Sequence, residues 1–358
     1  MGILRYRWID VVLAGVMFVS GATIHGRCAH ASDPGKPESE KPSSKRESRL
    51  TVYCSVDQDT ARDILDRYGR KNGVDVQVVY DSEAGKTTGL INRIIEESQS
   101  GRPRCDVLWS SEIFNTIRLA RMGLLESYDS PSARDIPERF KDVKHQWYAT
   151  SARARVLAFD PIKTALGDVP TKWADLGAET SRPTAIANPL FGTTRGHVAA
   201  FFALWGKDKG REYLTRLRES GVNVVASNSA AARWVGTRKV DFAFTDSDDC
   251  KLAVLRGMEN VDYVIPDMGD GGGLMIPCTT AIVKGSTNLG EAKKLVDHLI
   301  STDIELLLFD SPAGHWPVRE ELRNMLGVQW PAETKLTFEK IVDAMDEADA
   351  AVREILIK

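Results

Sequence analysis

Three carboxylates crowd into one short segment of the chain. Thr245-Asp246-Ser247-Asp248-Asp249 directly follows an apolar run that ends in Phe242-Ala243-Phe244. Such residues after a strand often cap the next helix, but one cap uses only one of them. Three neighbouring carboxylates repel one another unless a cation, a donor-rich ligand or bound protons relieve the charge. We therefore expect at least one of these aspartates to contact a ligand.

A second segment has the residue types of an anion site. Phe191-Gly192-Thr193-Thr194-Arg195-Gly196-His197 combines two hydroxyls, two glycines and a cation before an apolar helical stretch. Free main-chain amides at a helix start bind anions together with hydroxyls. The alternative is an ordinary threonine cap with Arg195 in solvent. The pattern favours an anion cradle at Thr193 and Thr194, with the helix starting at about Gly196.

The elements that position these segments alternate between strand and helix. Leu50–Tyr53, Val74–Tyr80 and Asp106–Trp109 have the pattern of strands, and a second series has strands around 185–187 and 240–245. This alternation predicts two α/β units with parallel strands joined by helices. Ligands in such sheets bind beyond the carboxyl ends of the strands. Those ends are the loops at 54–59, 81–88, 110–112, 191–197 and 245–249.

The sequence predicts four further elements. Strands are expected at 154–159 and 274–283, a helix at 289–300, and a long helical stretch from about Glu333 to the end of the chain.

Composition excludes several classes of protein. The chain has 358 residues, 42% of them hydrophobic, which suits two globular units and excludes general disorder. A net charge of −3 gives no basic field for nucleic acid. The sequence contains no G-x-S-x-G, H-E-x-x-H or Rossmann glycine motif, so catalysis is not expected.

The N-terminus has the pattern of a secretory signal. Arg5 and Arg7 precede the apolar run Val11–Ile24, and Ala29-His30-Ala31 offers small residues for cleavage. Residues 1–31 are predicted to be a signal peptide, so the mature protein is expected in the periplasm and not embedded in the membrane. A membrane anchor is the competing interpretation, but the run is short for a span. Residues 32–49 contain no apolar side chain and are predicted to be a disordered linker.

Export would place four cysteines in an oxidising compartment, where disulfides are chemically permitted. Their pairing stays open on the sequence alone. They are Cys54, Cys105, Cys250 and Cys278.

Five segments in order resemble the periplasmic ferric-iron-binding proteins of ABC importers, over roughly Leu50 to Arg319. They are Leu50–Tyr53, Cys105–Glu112, Ser151–Leu157, Ala226–Ser229 and Ala313–Val318. The resemblance implies a type 2 periplasmic-binding-protein fold, in which two α/β lobes are joined by crossover strands. Lobe one would comprise residues 50–150 and 277–325, and lobe two residues 151–276 and 326–358. The crossover strands would lie near 150–158 and at either 240–246 or 275–283.

The same resemblance implies a function and a ligand set. A monomer would close its cleft on a small charged ligand and present it to a membrane permease. In this family Fe(III) is held by two adjacent tyrosines, a histidine, a glutamate and a bound anion. The tyrosine pair falls on Asp248 and Asp249, the histidine on Asp57, and the glutamate near Ser111-Glu112. The anion and ligand contacts would come from Ser111, Thr193, Thr194, Gly196, Asn228 and Asp246.

The departure at the tyrosines leaves the ligand open. Carboxylates are hard donors, so Asp57, Glu112, Asp248 and Asp249 could hold Fe(III) or another hard metal as transported ligand, with an anion completing the shell. Alternatively the metal is lost, and the site binds a phosphorylated or phosphonate molecule whose hydroxyl or ammonium groups meet the aspartates. An exported enzyme or a sensor on the same scaffold is the rival from another class.

Overall fold

The computed structural model describes residues 48–81, 88–177 and 182–357. The predicted signal peptide, nearly all of the predicted linker and most of the 81–88 loop lie outside these residues. The first strand begins at Ser48, two residues before the expected start of order at Leu50. Among the described residues, no helix is both long and apolar enough to cross a membrane.

The described residues contain nine strands, which form one sheet. The strands are β1 Ser48–Cys54, β2 Val74–Tyr80, β3 Val107–Ser110, β4 Tyr148–Phe159, β5 Thr184–Ala187, β6 Asn223–Val225, β7 Phe242–Asp246, β8 Asp262–Val264 and β9 Met275–Ile282. Their order is β2-β1-β3-β9-β4-β7-β5-β6, with β8 paired to β4.

Helices cover the sheet and start at several of its strand ends. They are α1 Gln58–Asn72, α2 Thr88–Gln99, α3 Phe114–Arg121, α4 Gly192–Trp205, α5 Lys207–Glu219, α6 Asn228–Gly236, α7 Ser247–Leu255, α8 Leu289–Leu299, α9 Thr302–Asp310, α10 Glu320–Met325, α11 Phe338–Asp343 and α12 Met345–Ile355.

The sheet consists of two parallel halves joined by an antiparallel pair. In the first half, β1 runs parallel to β2 and β3, and in the second half β5 runs parallel to β6 and β7. Between them, β9 pairs with both β3 and β4, and β4 continues into a pairing with β7. The connecting strands are therefore β4 and β9. The segment 240–246, the other possibility raised by the sequence, instead lies within the second half as β7.

Every residue of β4 is buried, as are those of β9. Alternate side chains of a strand point to the same face, so Arg153 and Arg155 of β4 share one face. A buried arginine is costly unless carboxylates or other acceptors pair with it. The position of these two arginines in the joining strand determines much of the site described below.

Two helix boundaries differ from the sequence prediction. Helix α4 begins at Gly192, four residues earlier than expected, and Gly192 has a φ of 53°, which glycine adopts without strain. The stretch from Glu333 is not one long helix. Thr334 donates its main-chain N–H to the carbonyl of Gly273, and α11 starts only after Thr337, whose hydroxyl caps it.

Candidate functional site

A cleft opens where strand ends of both halves of the sheet meet. Its walls come from the ends of β1, β3, β5 and β7 and from the first turns of α4, α6 and α7, with Arg153 of β4 between them. The lining includes Ser55, Asp57, Ser111, Arg153, Asn188, Gly192, Thr193, Thr194, Ser227, Asn228, Ser229, Asp246, Asp248, Asp249 and Arg256. This is the edge of the sheet that the sequence predicted as the ligand side.

Three aspartates come together where β7 ends and α7 begins. One carboxylate oxygen of each of Asp246, Asp248 and Asp249 lies within 4.8 Å of the others. Asp246 is buried, whereas Asp248 and Asp249 are partly exposed to the cleft in the first turn of α7. The two partly exposed carboxylates are thus the ones that can reach a ligand.

Asp246 is held by an ion pair across two strands. It lies opposite Arg155 in the antiparallel register of β4 and β7, and its Oδ1 accepts from Nη1 of Arg155 at 2.7 Å. Its Oδ2 accepts from the Thr193 hydroxyl at 2.6 Å and from Nδ2 of Asn228 at 2.9 Å. Asp246 therefore joins β4, β7, α4 and α6 at the base of the cleft.

Asp248 contacts the second arginine of β4. Its Oδ2 accepts from Nη1 of Arg153 at 3.1 Å and lies 3.2 Å from Nε2 of His315. Arg153 also donates from Nη2 to the main-chain carbonyl of Ser111 at 2.7 Å. One guanidinium therefore links the end of β3 in the first half of the sheet with α7 in the second.

Electrostatics keep Arg153 charged despite its burial. Burial alone would lower its pKa, but the carboxylates of Asp248 and Asp246 outweigh that effect and raise the pKa above its usual range. A cation at the base of the cleft attracts an anionic group, and its own carboxylate partners attract a cationic one. The site thus offers complementary charges at close range.

Helix starts add a positive field to the cleft. The first N–H groups of a helix have no acceptor within it, and the helix dipole is positive at this end. Residues Gly192–Thr194 of α4 and Asn228–Ser229 of α6 lie on the cleft wall. Ser227 caps α6 by accepting from the N–H of Ala230. Main-chain donors and serine hydroxyls therefore converge on the same space.

Two predicted ligands lie elsewhere. Glu112 is 1% exposed, and its carboxylate accepts from the N–H groups of Phe114 and Asn115 at the start of α3. It does not line the cleft, and burial raises its pKa. Gly196 lies in the second turn of α4 against Phe114, where an added Cβ would come within 2.0 Å of the ring. Its role in this structure is close packing, because it presents no amide at the helix start.

The other predicted residues do reach the cleft. Asp57 lines it but also caps α1, where its Oδ1 accepts from the N–H groups of Asp59 and Thr60. Ser111 lines it beside Ser55, whose hydroxyl accepts from the Ser111 N–H at 2.9 Å. Thr193, Thr194 and Asn228 lie on the opposite wall.

Sequence reasoning gave no role to Arg153, Arg155 and His315. The sequence does contain an indication of the role of the two arginines, because they alternate in the otherwise small and apolar segment Ser151–Leu157, where a strand was predicted. Charged residues on one face of a buried strand imply buried partners. His315 gives no such signal, since its contact with Asp248 joins residues far apart in sequence.

The four cysteines in the described residues are all buried, and none of them is bonded to another of the four.

A sequence model of the bacterial extracellular solute-binding proteins matches residues 116–321, more than half of the chain. The chain belongs to this family. Membership in a family of solute-binding proteins confirms the prediction of a binding protein rather than an enzyme. It also agrees with a site made of charged groups and main-chain donors.

The chain is also similar in sequence to individual solute-binding proteins. The major ferric iron-binding protein of Neisseria meningitidis is 26% identical over 259 residues, covering 71% of this chain and 76% of that protein. A putative 2-aminoethylphosphonate-binding periplasmic protein of Salmonella typhimurium is 26% identical over 291 residues, covering 77% and 80%. The family resemblance predicted from the five sequence segments is thereby confirmed.

A solved structure confirms the predicted fold. The ferric binding protein from Campylobacter jejuni superposes with a TM-score of 0.76 at 20% identity, covering 86% of this chain and 99% of that one. The two parallel halves joined by β4 and β9 are thus the two lobes of a type 2 periplasmic binding protein.

Proposed function

We propose that this solute-binding protein is the periplasmic receptor of an ABC importer and binds Fe(III) or another hard cation together with an anion. The observation that carries the proposal is the meeting of Asp246, Asp248 and Asp249, with oxygens within 4.8 Å, opposite the first turn of α4. Carboxylate oxygens are the donors that hard cations prefer. Loading is expected to close the cleft between the lobes.

The arrangement of charges supports a cation bound with an anion. A bare cation beside Asp248 would lie close to the guanidinium of Arg153, which pairs with the same carboxylate at 3.1 Å. An anion between the two positive charges relieves this repulsion and completes the coordination shell. The main-chain N–H groups of Gly192–Thr194 are placed to hold that anion. Asp248 and Asp249, with Asp57 on the facing wall, would hold the cation.

A second candidate ligand is a phosphonate or phosphate that carries an ammonium group. It is favoured by the pairing of Asp246 and Asp248 with arginines, because paired carboxylates are weaker metal ligands. The phosphorus group would meet the helix starts and Arg153, and the ammonium would meet Asp249. The relative named for 2-aminoethylphosphonate supports this class.

Location and partners follow from the same proposal. Residues 1–31 would direct export, residues 32–49 would serve as a tether, and the mature monomer would deliver its ligand to a membrane permease. The permease would recognise the closed lobes, so the affinity must allow both loading and release.

Native mass spectrometry and small-angle X-ray scattering test the proposal together. Protein purified from its own periplasm should carry a mass increment of iron plus an anion, and adding Fe(III) to stripped protein should reduce the radius of gyration. An intact organophosphorus mass would select the second candidate. If neither Fe(III) nor 2-aminoethylphosphonate compacts or thermally stabilises the protein, the receptor function proposed here is wrong.

A further inference from the structure

Five buried or partly buried side chains form a closed hydrogen-bond network under the cleft. Asp246 accepts from Arg155, Thr193 and Asn228 at 2.7, 2.6 and 2.9 Å. Thr194 donates its hydroxyl proton to Oδ1 of Asn228 at 2.8 Å. Oδ1 of Asn228 also accepts from Nη1 of Arg155 at 3.2 Å. Three of these side chains were predicted to hold an external anion.

The hydroxyl and amide protons of Thr193, Thr194 and Asn228 are all donated to acceptors within this network. A threonine hydroxyl has one proton, and that of Thr193 goes to Asp246. The two Nδ2 protons of Asn228 go to Thr193 Oγ1 and to Asp246 Oδ2. The single hydroxyl proton of Thr194 goes to Asn228. No proton of these three side chains remains for an anion in the cleft.

Charge and burial act in the same direction. Asp246 is 2% exposed and Arg155 is fully buried, so their attraction is little weakened by water. A second anion at the same donors would lie against the carboxylate of Asp246 in a poorly solvated site, where like charges repel strongly. The charge of Asp246 therefore disfavours a second anion at these donors.

We infer that Asp246 is a built-in anion, which occupies the side-chain donors of the cradle in place of an external phosphate or carboxylate. The inference deepens the proposed function and rests on it. A cargo anion then meets main-chain N–H groups, serine hydroxyls and the cleft-lining arginines Arg153 and Arg256, rather than the side chains of Thr193, Thr194 and Asn228. Asp246 is a specificity-determining and positioning residue, since it restricts the charge that the cleft accepts and holds the starts of α4 and α6 together.

Phosphate binding by Asp246→Asn tests the inference. The amide keeps the shape of the side chain but removes the negative charge. Isothermal titration with inorganic phosphate should show at least a tenfold gain in affinity over the wild type, and adding Thr193→Val should abolish the gain. Asp248→Asn, which changes a cleft-facing carboxylate, is the matched control and should show no gain that depends on Thr193. Equal phosphate affinity in the wild type and Asp246→Asn overturns the inference.

A second arm does not depend on the folding of that variant. In the wild-type background Thr193→Val should weaken phosphate binding less than Ser229→Ala does, because the Thr193 hydroxyl is committed to Asp246, and a greater loss in Thr193→Val overturns the inference. Asp246→Ala should be stabilised by formate or acetate that fills the vacated position, as shown by a rise in melting temperature absent from Asp346→Ala, which removes an exposed carboxylate of α12. Absence of this rescue in a folded Asp246→Ala counts against the inference. These outcomes are independent of cleft closure by Fe(III) in the wild type, which tests the proposed function separately.

Discussion

Oδ2 of Asp248 lies 3.2 Å from Nε2 of His315, a residue of the segment that follows α9. His315 is 2% exposed, and its Nδ1 is 3.3 Å from the hydroxyl of Ser151 on β4. The carboxylate of Asp248, in the first turn of α7, is therefore oriented by groups from two other parts of the chain. A ligand that binds Asp248 meets a side chain whose position is already fixed.

Removing the cleft-facing carboxylates should abolish metal loading. Asp248→Ala combined with Asp249→Ala should weaken Fe(III) binding by about 100-fold or more, because two hard donors are lost. Competitive titration against a chelator measures the affinity. The matched control is Asp346→Ala with Glu347→Ala, an acidic pair in the first turn of α12 outside the cleft. An equal loss in both doubles would show that the aspartates of α7 are not the ligands.

A methyl group at Gly196 should disturb the contact between α3 and α4. An added Cβ would come within 2.0 Å of the Phe114 ring, so Gly196→Ala is expected to cost about 1–3 kcal/mol of unfolding free energy through overpacking. Urea unfolding measures the loss. Gly290→Ala is the control, since its Cβ meets nothing within 4 Å in α8.

The ring contact itself can be tested by a second substitution. Phe114→Leu in the Gly196→Ala background should recover part of the stability, because the shorter side chain leaves room for the methyl group. If the loss of unfolding free energy in the double variant equals the sum of the losses in Gly196→Ala and Phe114→Leu, the ring contact does not cause the effect.

Stability should decrease toward acid pH because of His197. Burial, helped by the charge of Arg155, lowers the pKa of His197 well below its usual range. Below about pH 6.5 the unfolded chain gains a proton that the folded protein does not bind, so the unfolding free energy falls by up to about 1.4 kcal/mol per pH unit. Urea unfolding at pH 7.5 and 5.5 should show a smaller fall in His197→Gln, which keeps an acceptor for Nε of Arg155. An equal fall in both proteins contradicts this assignment.

The cysteines should remain reduced and unreactive in the folded protein. Cys54, Cys105, Cys250 and Cys278 are buried, and burial raises the pKa of the last three, so little thiolate is present. Thiol titration of the unreduced mature protein should be slow when folded and give four thiols after unfolding. Two or fewer thiols after unfolding would show that disulfides form during export.

The sequence predicted the fold where patterns were local. The strands β1 and β2 and the apolar face of α1, with Ala61, Ile64 and Leu65 buried, follow from periodicity alone. The strand ends also indicated the edge of the sheet where the cleft lies, with Asp246, Asp248 and Asp249 at the junction of β7 and α7. These features depend on neighbours along the chain.

Features that depend on distant residues were not predictable in the same way. The Glu112 side chain could point into the cleft or toward the N–H groups at the start of α3. It points toward α3, because those N–H groups donate to its buried carboxylate. The pair of Arg155 with Asp246 requires the register of β4 on β7. Neither the register nor the packing of Gly196 on Phe114 can be read from spacing.

The three carboxylates between Asp246 and Asp249 have two different surroundings. Asp246 is needed by the buried network, whereas Asp248 and Asp249 face the cleft from the first turn of α7. Under the proposed function, substitutions at the latter two positions would change the ligand and leave the pairing of Arg155 on β4 with Asp246 on β7 intact. If Asp248 and Asp249 are the ligands, such a division would let the bound solute change at two positions while the scaffold stays the same.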